Sequence, residues 1–343
     1  MLRAKRVGRR PRPGAGALHF ARPERPPLSP IHLTPVPPPS PNTSGAPDAV
    51  AGSADQAAPA APERRPEWLK VRLRDVDVVA KMKPVLHGLH TVCESARCPN
   101  LGECWGRGTA TFMILGNLCT RRCTFCAVPQ GRPGPPDPAE PARVADAVRQ
   151  LGIRHTVITS VTRDDLPDQG AGQFAACIRE VRAARPDCSI EVLIPDFQGR
   201  RDALDLVMQE RPEVLNHNIE TVPRLYRRVR PGAVYKRTLE LLERALAYGT
   251  SKTKSGLMVG LGETKDEVLA TLQDLRAHGV QVVTIGQYLK PRTQRVPLFR
   301  YVHPDEFAEY KRFALELGFE HCESGPLVRS SYHAEAHVGQ ALR

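Results

Sequence analysis

Beyond residue 108 the chain alternates short apolar runs rich in β-branched residues with longer stretches whose apolar positions repeat at helical spacing. The β-rich runs are TFMIL (111–115), HTVITS (155–160), SIEVLI (189–194), VLNHNI (214–219), SGLMVG (255–260) and VQVVTIGQYL (280–289). Runs of this length, each followed by a helical stretch, predict parallel βαβ units. Six of them predict an α/β fold built as an open, partial (β/α)6 TIM-type barrel rather than a closed eight-fold one. Barrels of this kind carry their chemistry at the C-terminal ends of the strands.

Upstream, RPEWLKVRLRDVDVVAKMK (65–83) alternates charge with apolar positions at helical spacing and predicts an amphipathic helix where the ordered protein begins. Residues 1–66 hold 15 of the 33 prolines and no periodic apolar pattern, which predicts a disordered extension. Its Arg-rich start has no acid before Glu24, as an import signal would, but Pro11, Pro13 and Pro23 interrupt any amphipathic helix there. The expected location is therefore the cytoplasm, with the mitochondrial matrix as the alternative if the extension is a transit peptide. The expected organisation is an extension (1–66), a helix and cysteine-rich segment (67–108), a barrel (109–318) and a C-terminal segment (319–343).

Net charge is +12, yet residues 1–66, with 10 Lys/Arg against 4 Asp/Glu, supply half of it. Aromatic residues make up 5% of the chain, too few for base-stacking platforms, so no nucleic-acid partner is expected. No apolar run approaches the roughly 18 residues of a membrane span, so no membrane partner is expected.

Six of the nine cysteines crowd between Cys93 and Cys126, a clustering that points to metal ligation in a reducing compartment. Cys119, Cys123 and Cys126 form C-x3-C-x2-C directly after the first β-rich run and a Gly116-Asn117 turn. Three thiolates can hold three irons of a [4Fe–4S] cluster and leave the fourth free for another ligand. A structural zinc site ordinarily takes four ligands, often as two pairs, whereas here Cys123 and Cys126 form the one CxxC. Cys93, Cys98 and Cys104 form a second triplet, C-x4-C-x5-C, within TVCESARCPNLGECWGRGTATFMI. Cys177, Cys188 and Cys322 match no motif and read as small buried apolar residues.

The C-x3-C-x2-C loop, with Phe125 before its last cysteine, resembles the signature of the radical S-adenosylmethionine (SAM) superfamily. The Cys93–Cys98–Cys104 triplet, with its PN and ECW neighbours and its place ahead of that loop, resembles one family within it, lipoyl synthase. TSVTRDDLPDQG (159–170), EVLIPDFQG (191–199), NHNIETVPRLY (216–226), LMVGLGE (257–263), TIGQYLKP (284–291), RYVHPDEF (300–307) and RSSY (329–332) extend the resemblance over about residues 67–340. One departure lies at 290–302, where Arg292 and Arg295 rearrange the family's basic run.

The resemblance implies two [4Fe–4S] clusters and SAM as cofactors. Cys119, Cys123 and Cys126 would hold the SAM-cleaving cluster. Cys93, Cys98, Cys104 and Ser331 of RSSY would hold an auxiliary cluster that gives up sulfur, with Ser330 as the neighbouring alternative to Ser331. Thr159, Ser160, Glu191, Asn216, Asn218 and Gly260 would contact SAM. Sulfur would be inserted at C6 and C8 of a protein-bound N6-octanoyl-lysine. The partners implied are octanoylated lipoyl carrier domains (2-oxoacid dehydrogenase E2 subunits and the glycine cleavage H protein) and an electron donor such as ferredoxin or flavodoxin. The RSSY segment is expected to close the barrel mouth. Arg163, Asp164 and Asp165, just past the second β-rich run, read equally as orienting charges or as a solvated loop. His217, His303 and His333 read as structural, because hydrogen-atom abstraction needs no general base. A biotin-synthase-like enzyme would lack the first triplet and RSSY. A two-cluster electron carrier would cover every iron with cysteine. A zinc-dependent binding module would be colourless.

Overall fold

Strand and helix alternate along the chain as the apolar pattern requires. The computed structural model describes residues 64–70, 76–96, 98–249, 251–291 and 296–338. All of them lie within one compact unit spanning residues 56–343. The disorder expected for residues 1–63, and the departure at Arg292 and Arg295, lie outside the described residues.

The predicted leading helix resolves into a 3-10 turn, Glu67–Leu69, and helix α1, Val76–Val85. Strand β1 (His90–Thr91) and the short helices α2 (Val92–Ser95) and α3 (Leu101–Gly106) follow and carry the first cysteine triplet. Then come β2 (Thr109–Ile114), α4 (Glu140–Gln150), β3 (His155–Ser160), α5 (Ala171–Ala184), β4 (Ser189–Leu193), α6 (Arg201–Gln209) and β5 (Val214–Asn216). The chain continues through α7 (Tyr226–Val229), α8 (Tyr235–Ala247), β6 (Lys252–Val259), α9 (Lys265–Ala277), β7 (Val282–Gln287), α10 (Pro304–Glu316), β8 (His321–Gly325) and α11 (Ala334–His337).

The eight strands form one sheet in the order β1 to β8. β1 pairs antiparallel to β2, and every later neighbour is parallel. The six predicted strands are β2 to β7. β8 adds a seventh parallel strand, so the sheet runs past the expected barrel boundary at 318. Its sequence, HCESG, lacks an apolar run because it is an edge strand with one buried residue, Cys322.

β2 and β7 are buried at every position, as in a parallel sheet packed on both faces. Helices start where the sequence caps them. Thr264 and Glu267 form a reciprocal capping box at α9, and proline occupies the first turns of α4 and α10.

After β8 the chain turns and bridges the two ends of the open sheet. Val328 packs at β7, where a Cβ on Gly286 would collide with the Val328 carbonyl oxygen. Further on, Ser331 and Glu335 bond to Thr111 and Thr109 of β2. The RSSY segment begins beside the C-terminal end of β7, where Arg329 donates to the Gln287 carbonyl, and runs from there to polar partners on β2 and α3.

Candidate active site

The first triplet and the C-terminal segment meet through a series of side-chain contacts. Asn100 Nδ2 donates to the Leu327 carbonyl at 2.7 Å, and the Arg329 guanidinium faces Cys98 and favours its thiolate. The Thr111 hydroxyl lies 3.0 Å from Ser331 Oγ and also hydrogen-bonds Cys93. Tyr332 Oη donates to Glu103 at 3.2 Å, His333 Nε2 lies 3.1 Å from the same carboxylate, and Thr109 donates to Glu335 at 3.0 Å. Ser331 is thus placed beside the triplet although 227 residues separate it from Cys104. No comparable tie to the triplet is present at Ser330 among the described residues.

Burial pushes the Cys93 thiol up to about 11, helped by charge on Cys98. Cys104 is raised further by burial and by Cys98 and Cys93, and Cys98 is raised by burial. Three desolvated, mutually repelling thiolates are unstable by themselves and become favourable around a polycationic core. The donor set therefore fits a cluster held by three thiolates and one hydroxyl.

The second triplet occupies the loop between β2 and α4, which leaves the strand end through Leu115 and Gly116, both at positive φ. Backbone bonds pin this loop to its surroundings. Cys119 N–H donates to the Pro129 carbonyl, Thr120 N–H to the Thr162 carbonyl after β3, and Thr124 N–H to the Val229 carbonyl of α7. Cys119 Sγ accepts from the Arg121 and Thr162 N–H groups, each at 3.4 Å. Such donors stabilise a metal-bound thiolate and tune its potential. Burial raises Cys123, and pushes Cys126 up to about 12 with charge on Cys123 and Cys119 contributing.

Among the described residues, no group of three or more His, Cys, Asp or Glu side chains is set to hold a single metal ion. A cubane cluster, being larger than one ion, spreads its ligand sulfurs more widely.

Beneath the loop lies an ion network that the sequence reading missed. Arg121 Nε and Nη2 bond to Asp164 at 2.7 and 2.9 Å, and Nη2 also reaches Asp196 at 2.5 Å. Arg237 holds the other Asp196 oxygen at 3.0 Å. The Arg121 side chain is 8% exposed and that of Asp196 is 1% exposed, so these charges are removed from water only because they are paired. Burial alone would raise the Asp196 carboxyl, but Arg121 and Arg237 hold it far below the usual range. The available signals were the arginine inside C-T-R-R-C and the aspartate at the end of EVLIPD.

The residues expected to touch SAM separate into two groups. Thr159 and Ser160 end β3, and Gly260 follows β6, all at the C-terminal side of the sheet. Buried Ser160 Oγ and Asn218 Oδ1 have no partner among the described residues. Orphaned polar atoms at strand ends are what a polar ligand would satisfy. Thr159 Oγ1 instead donates to the Leu193 carbonyl at 2.9 Å.

At Gly260, φ is +97° and a Cβ would lie 2.6 Å from the Arg300 carbonyl oxygen. Its N–H and that of Leu261 donate to Glu263 at 2.6 and 2.8 Å, fixing the turn. Glu191, by contrast, sits within the sheet, while Asn216 ends β5 level with Thr159. Both Glu191 oxygens take Lys254 Nζ at 2.9 Å, and Asn216 Nδ2 donates to Glu191 Oε1 at 2.9 Å, with all three residues fully buried. Glu191 is committed to a sealed ion pair with Lys254, whereas Asn216 Oδ1, like Ser160 Oγ and Asn218 Oδ1, has no partner among the described residues. Near Asn218, half-buried Glu220 is raised by desolvation despite the nearby Arg230, which donates to the Asn218 carbonyl at 2.8 Å. Neither Glu220 nor Arg230 was singled out from sequence.

The remaining candidates have structural partners. Arg163, 2% exposed, is held by Asp165 and the Gly134 carbonyl, and Asp164 by Arg121. His217 bonds the Ile194 carbonyl and Thr238, and His303 caps α10. Cys177, Cys188 and Cys322 are buried, at 0%, 2% and 1% exposure.

The family model of the radical SAM superfamily matches residues 113–275, spanning the second triplet and most of the sheet. The chain is 58% identical over 282 residues to the lipoyl synthase of Rubrobacter xylanophilus, covering 81% of this chain and 88% of that one. It is 57% identical to that of Chlorobaculum parvum, covering 80% and 95%, and 58% identical to that of Methylococcus capsulatus, covering 81% and 87%. On identity of this extent over nearly the whole described region, the chain belongs to the lipoyl synthase family, sulfurtransferases of the radical SAM superfamily.

Proposed function

We propose that this chain converts a protein-bound N6-octanoyl-lysine to lipoyl-lysine by inserting sulfur at C6 and C8. The observation that carries the reading is the meeting of Ser331 with the first triplet through Thr111, since it assembles three thiols and one hydroxyl from opposite ends of the described chain. Cys93, Cys98, Cys104 and Ser331 would hold an auxiliary [4Fe–4S] cluster as the sulfur source. Cys119, Cys123 and Cys126 would hold a second, whose open iron takes SAM. When bound, these groups supply one-electron cleavage of the sulfonium and a 5′-deoxyadenosyl radical able to take hydrogen from an unactivated carbon.

The chain's own residues hold and orient. Arg121 locks the second-triplet loop to the ends of β3 and β4 through Asp164 and Asp196. Ser160 and Asn218 offer free polar atoms to the cofactor, and the Gly260 turn lets the Gln287 side chain and the Arg300 carbonyl approach the end of β6. The hydroxyl of Ser331 is a harder and weaker iron ligand than thiolate, so it would hold the auxiliary cluster less tightly than the three cysteines. Octanoylated lipoyl carrier domains are the proposed substrates, and a low-potential protein such as ferredoxin or flavodoxin is the proposed reductant. The named relatives are bacterial, which supports action in the cytoplasm.

Anaerobic reconstitution followed by SAM, dithionite and an octanoylated peptide tests this reading. About eight irons per chain, two 5′-deoxyadenosines and a mass gain of two sulfurs are expected. Cys93→Ala should abolish sulfur transfer and spare SAM cleavage, whereas Cys119→Ala should abolish both. Absence of 5′-deoxyadenosine from the wild-type protein would remove the radical chemistry, and its formation without sulfur transfer would remove the specific reaction.

A further inference from the structure

The loop carrying the second triplet presents a cationic outer surface for which the proposed chemistry within the chain has no use. Arg122 stands just before Cys123 on the loop, Arg132 follows Gly131 where the loop returns to Cys119, and Arg227 lies on α7; all three are exposed. Among the described residues none of these three is paired with a carboxylate. Many surface arginines elsewhere are paired, including Arg143 with Asp137, Arg179 with Glu210 and Arg224 with Glu267.

Hydrogen bonds bring together the chain segments that carry the three positions. Gly131 N–H donates to the Cys119 carbonyl at 3.1 Å, tying Arg132 to the triplet. Thr124 donates to the Arg228 and Val229 carbonyls at 3.0 and 3.1 Å, tying α7 to it. Arg228 is itself held against the Phe299 ring at 5.0 Å and to the Leu261 carbonyl, adding a fixed charge beside Arg227. Three carboxylates near the loop are already engaged: Asp164 and Asp196 by Arg121, and Glu220 by Asn218 Nδ2 at 3.2 Å. Alongside Arg122, residues Ala127, Pro129 and Gln130 are exposed, so solvent reaches the outer side of the loop next to Cys123 and Cys126.

We propose that Arg122, Arg132 and Arg227 form the docking surface for an acidic electron-donor protein, set directly over the cysteine loop that would hold the SAM-cleaving cluster. The inference rests on the reading of Cys119, Cys123 and Cys126 as ligands of a reducible cluster. Each reductive event moves one electron: the donor's flavin or iron centre loses it and the cluster gains it. Transfer needs the two centres close, and the outer side of this loop is a short approach from solvent. Unpaired arginines at an exposed rim raise the encounter rate with an acidic partner and make it depend on salt.

The test uses the reconstituted full chain and reduced or oxidised flavodoxin as the acidic probe. Binding of oxidised flavodoxin is measured by calorimetry, and 5′-deoxyadenosine formation is measured with reduced flavodoxin and, separately, with dithionite. For the wild type, Kd should rise about tenfold between low and moderate salt. Arg122→Glu combined with Arg227→Glu should weaken flavodoxin binding and slow flavodoxin-driven turnover by about tenfold, leaving dithionite-driven turnover within about twofold. Arg132→Glu, a single substitution, should show the same split at smaller size and covers the case in which the double variant fails to load iron. Unchanged flavodoxin binding in both variants overturns the proposal. So does displacement of flavodoxin by the octanoylated carrier, or a defect seen as a raised KM for carrier under dithionite, because the surface would then serve the substrate protein. A wild-type chain that makes no 5′-deoxyadenosine with dithionite would instead defeat the cluster reading on which this surface depends.

Discussion

The Thr111 hydroxyl stands 3.0 Å from Ser331 Oγ and bonds Cys93 as well, so one residue of β2 joins two proposed ligands from opposite ends of the described chain. Removing the Ser331 oxygen should therefore affect sulfur transfer and spare SAM cleavage. Ser331→Ala is expected to lower sulfur insertion by about 100-fold or more while 5′-deoxyadenosine release stays within about threefold. Ser330→Ala should behave as wild type. Thr111→Val keeps the shape but loses the bridge, and should cost about tenfold in sulfur insertion. Equal effects from Ser330→Ala and Ser331→Ala would show that the hydroxyl next to Thr111 is not the ligand.

Asp196 ties Arg121 under the cysteine loop to Arg237 at the start of α8. Asp196→Asn would leave Arg121 buried with one carboxylate where it had two. Breaking a buried pair from one side costs about 3 to 5 kcal/mol. Chemical denaturation should show a loss of this order, and iron reconstituted at the second triplet should fall while the first triplet keeps its cluster. Replacing both Asp196 and Arg121 by apolar residues should recover part of the stability without recovering the cluster. Full iron content in Asp196→Asn would remove the ion network from any role in holding the loop.

How far these features could be read from the chain depended on whether their signal was local. β2 to β7 announced themselves because strands buried on both faces concentrate β-branched and other apolar residues in one short run, as TFMIL and VQVVTIGQYL do. β8 did not, since an edge strand with one buried residue can be written HCESG. The two triplets were legible because ligands from one short segment must keep fixed spacing. The Arg121–Asp196 pair was not, because it forms between loops 75 residues apart and any loop carries charges. Glu191 shows the converse. Its place in a family-like segment suggested a cofactor contact, but its pairing with Lys254, 63 residues later, depends on strand order.

Gly260 has a turn that no side chain fits without movement. An alanine Cβ would meet Gln287 Nε2 and the Arg300 carbonyl, and φ of +97° disfavours any L-residue. Gly260→Ala should destabilise the protein by about 2 kcal/mol or more and weaken SAM binding. Equilibrium dialysis of SAM on the reconstituted protein would check the second point. Unchanged SAM affinity would mean that this turn does not border the cofactor.

His217 predicts a pH dependence of stability apart from the clusters. It is fully buried, with Nδ1 on the Ile194 carbonyl and Nε2 3.1 Å from Thr238 Oγ1, and burial, with Arg230 nearby, lowers it from 6.5 to about 4. Between those values the unfolded chain takes up a proton that the folded chain refuses. The contribution is therefore present above pH 6.5 and is lost as pH falls toward 4, by up to about 1.4 kcal/mol per unit and roughly 3 kcal/mol in all. His337, also buried and lowered, adds to the same slope. His217→Gln keeps an amide able to reach both partners and carries no titrating group. Urea unfolding at about pH 7 and pH 5 should show a smaller acid loss in the variant than in the wild type, whatever their absolute stabilities. Equal losses would mean that His217 does not resist protonation in the folded protein.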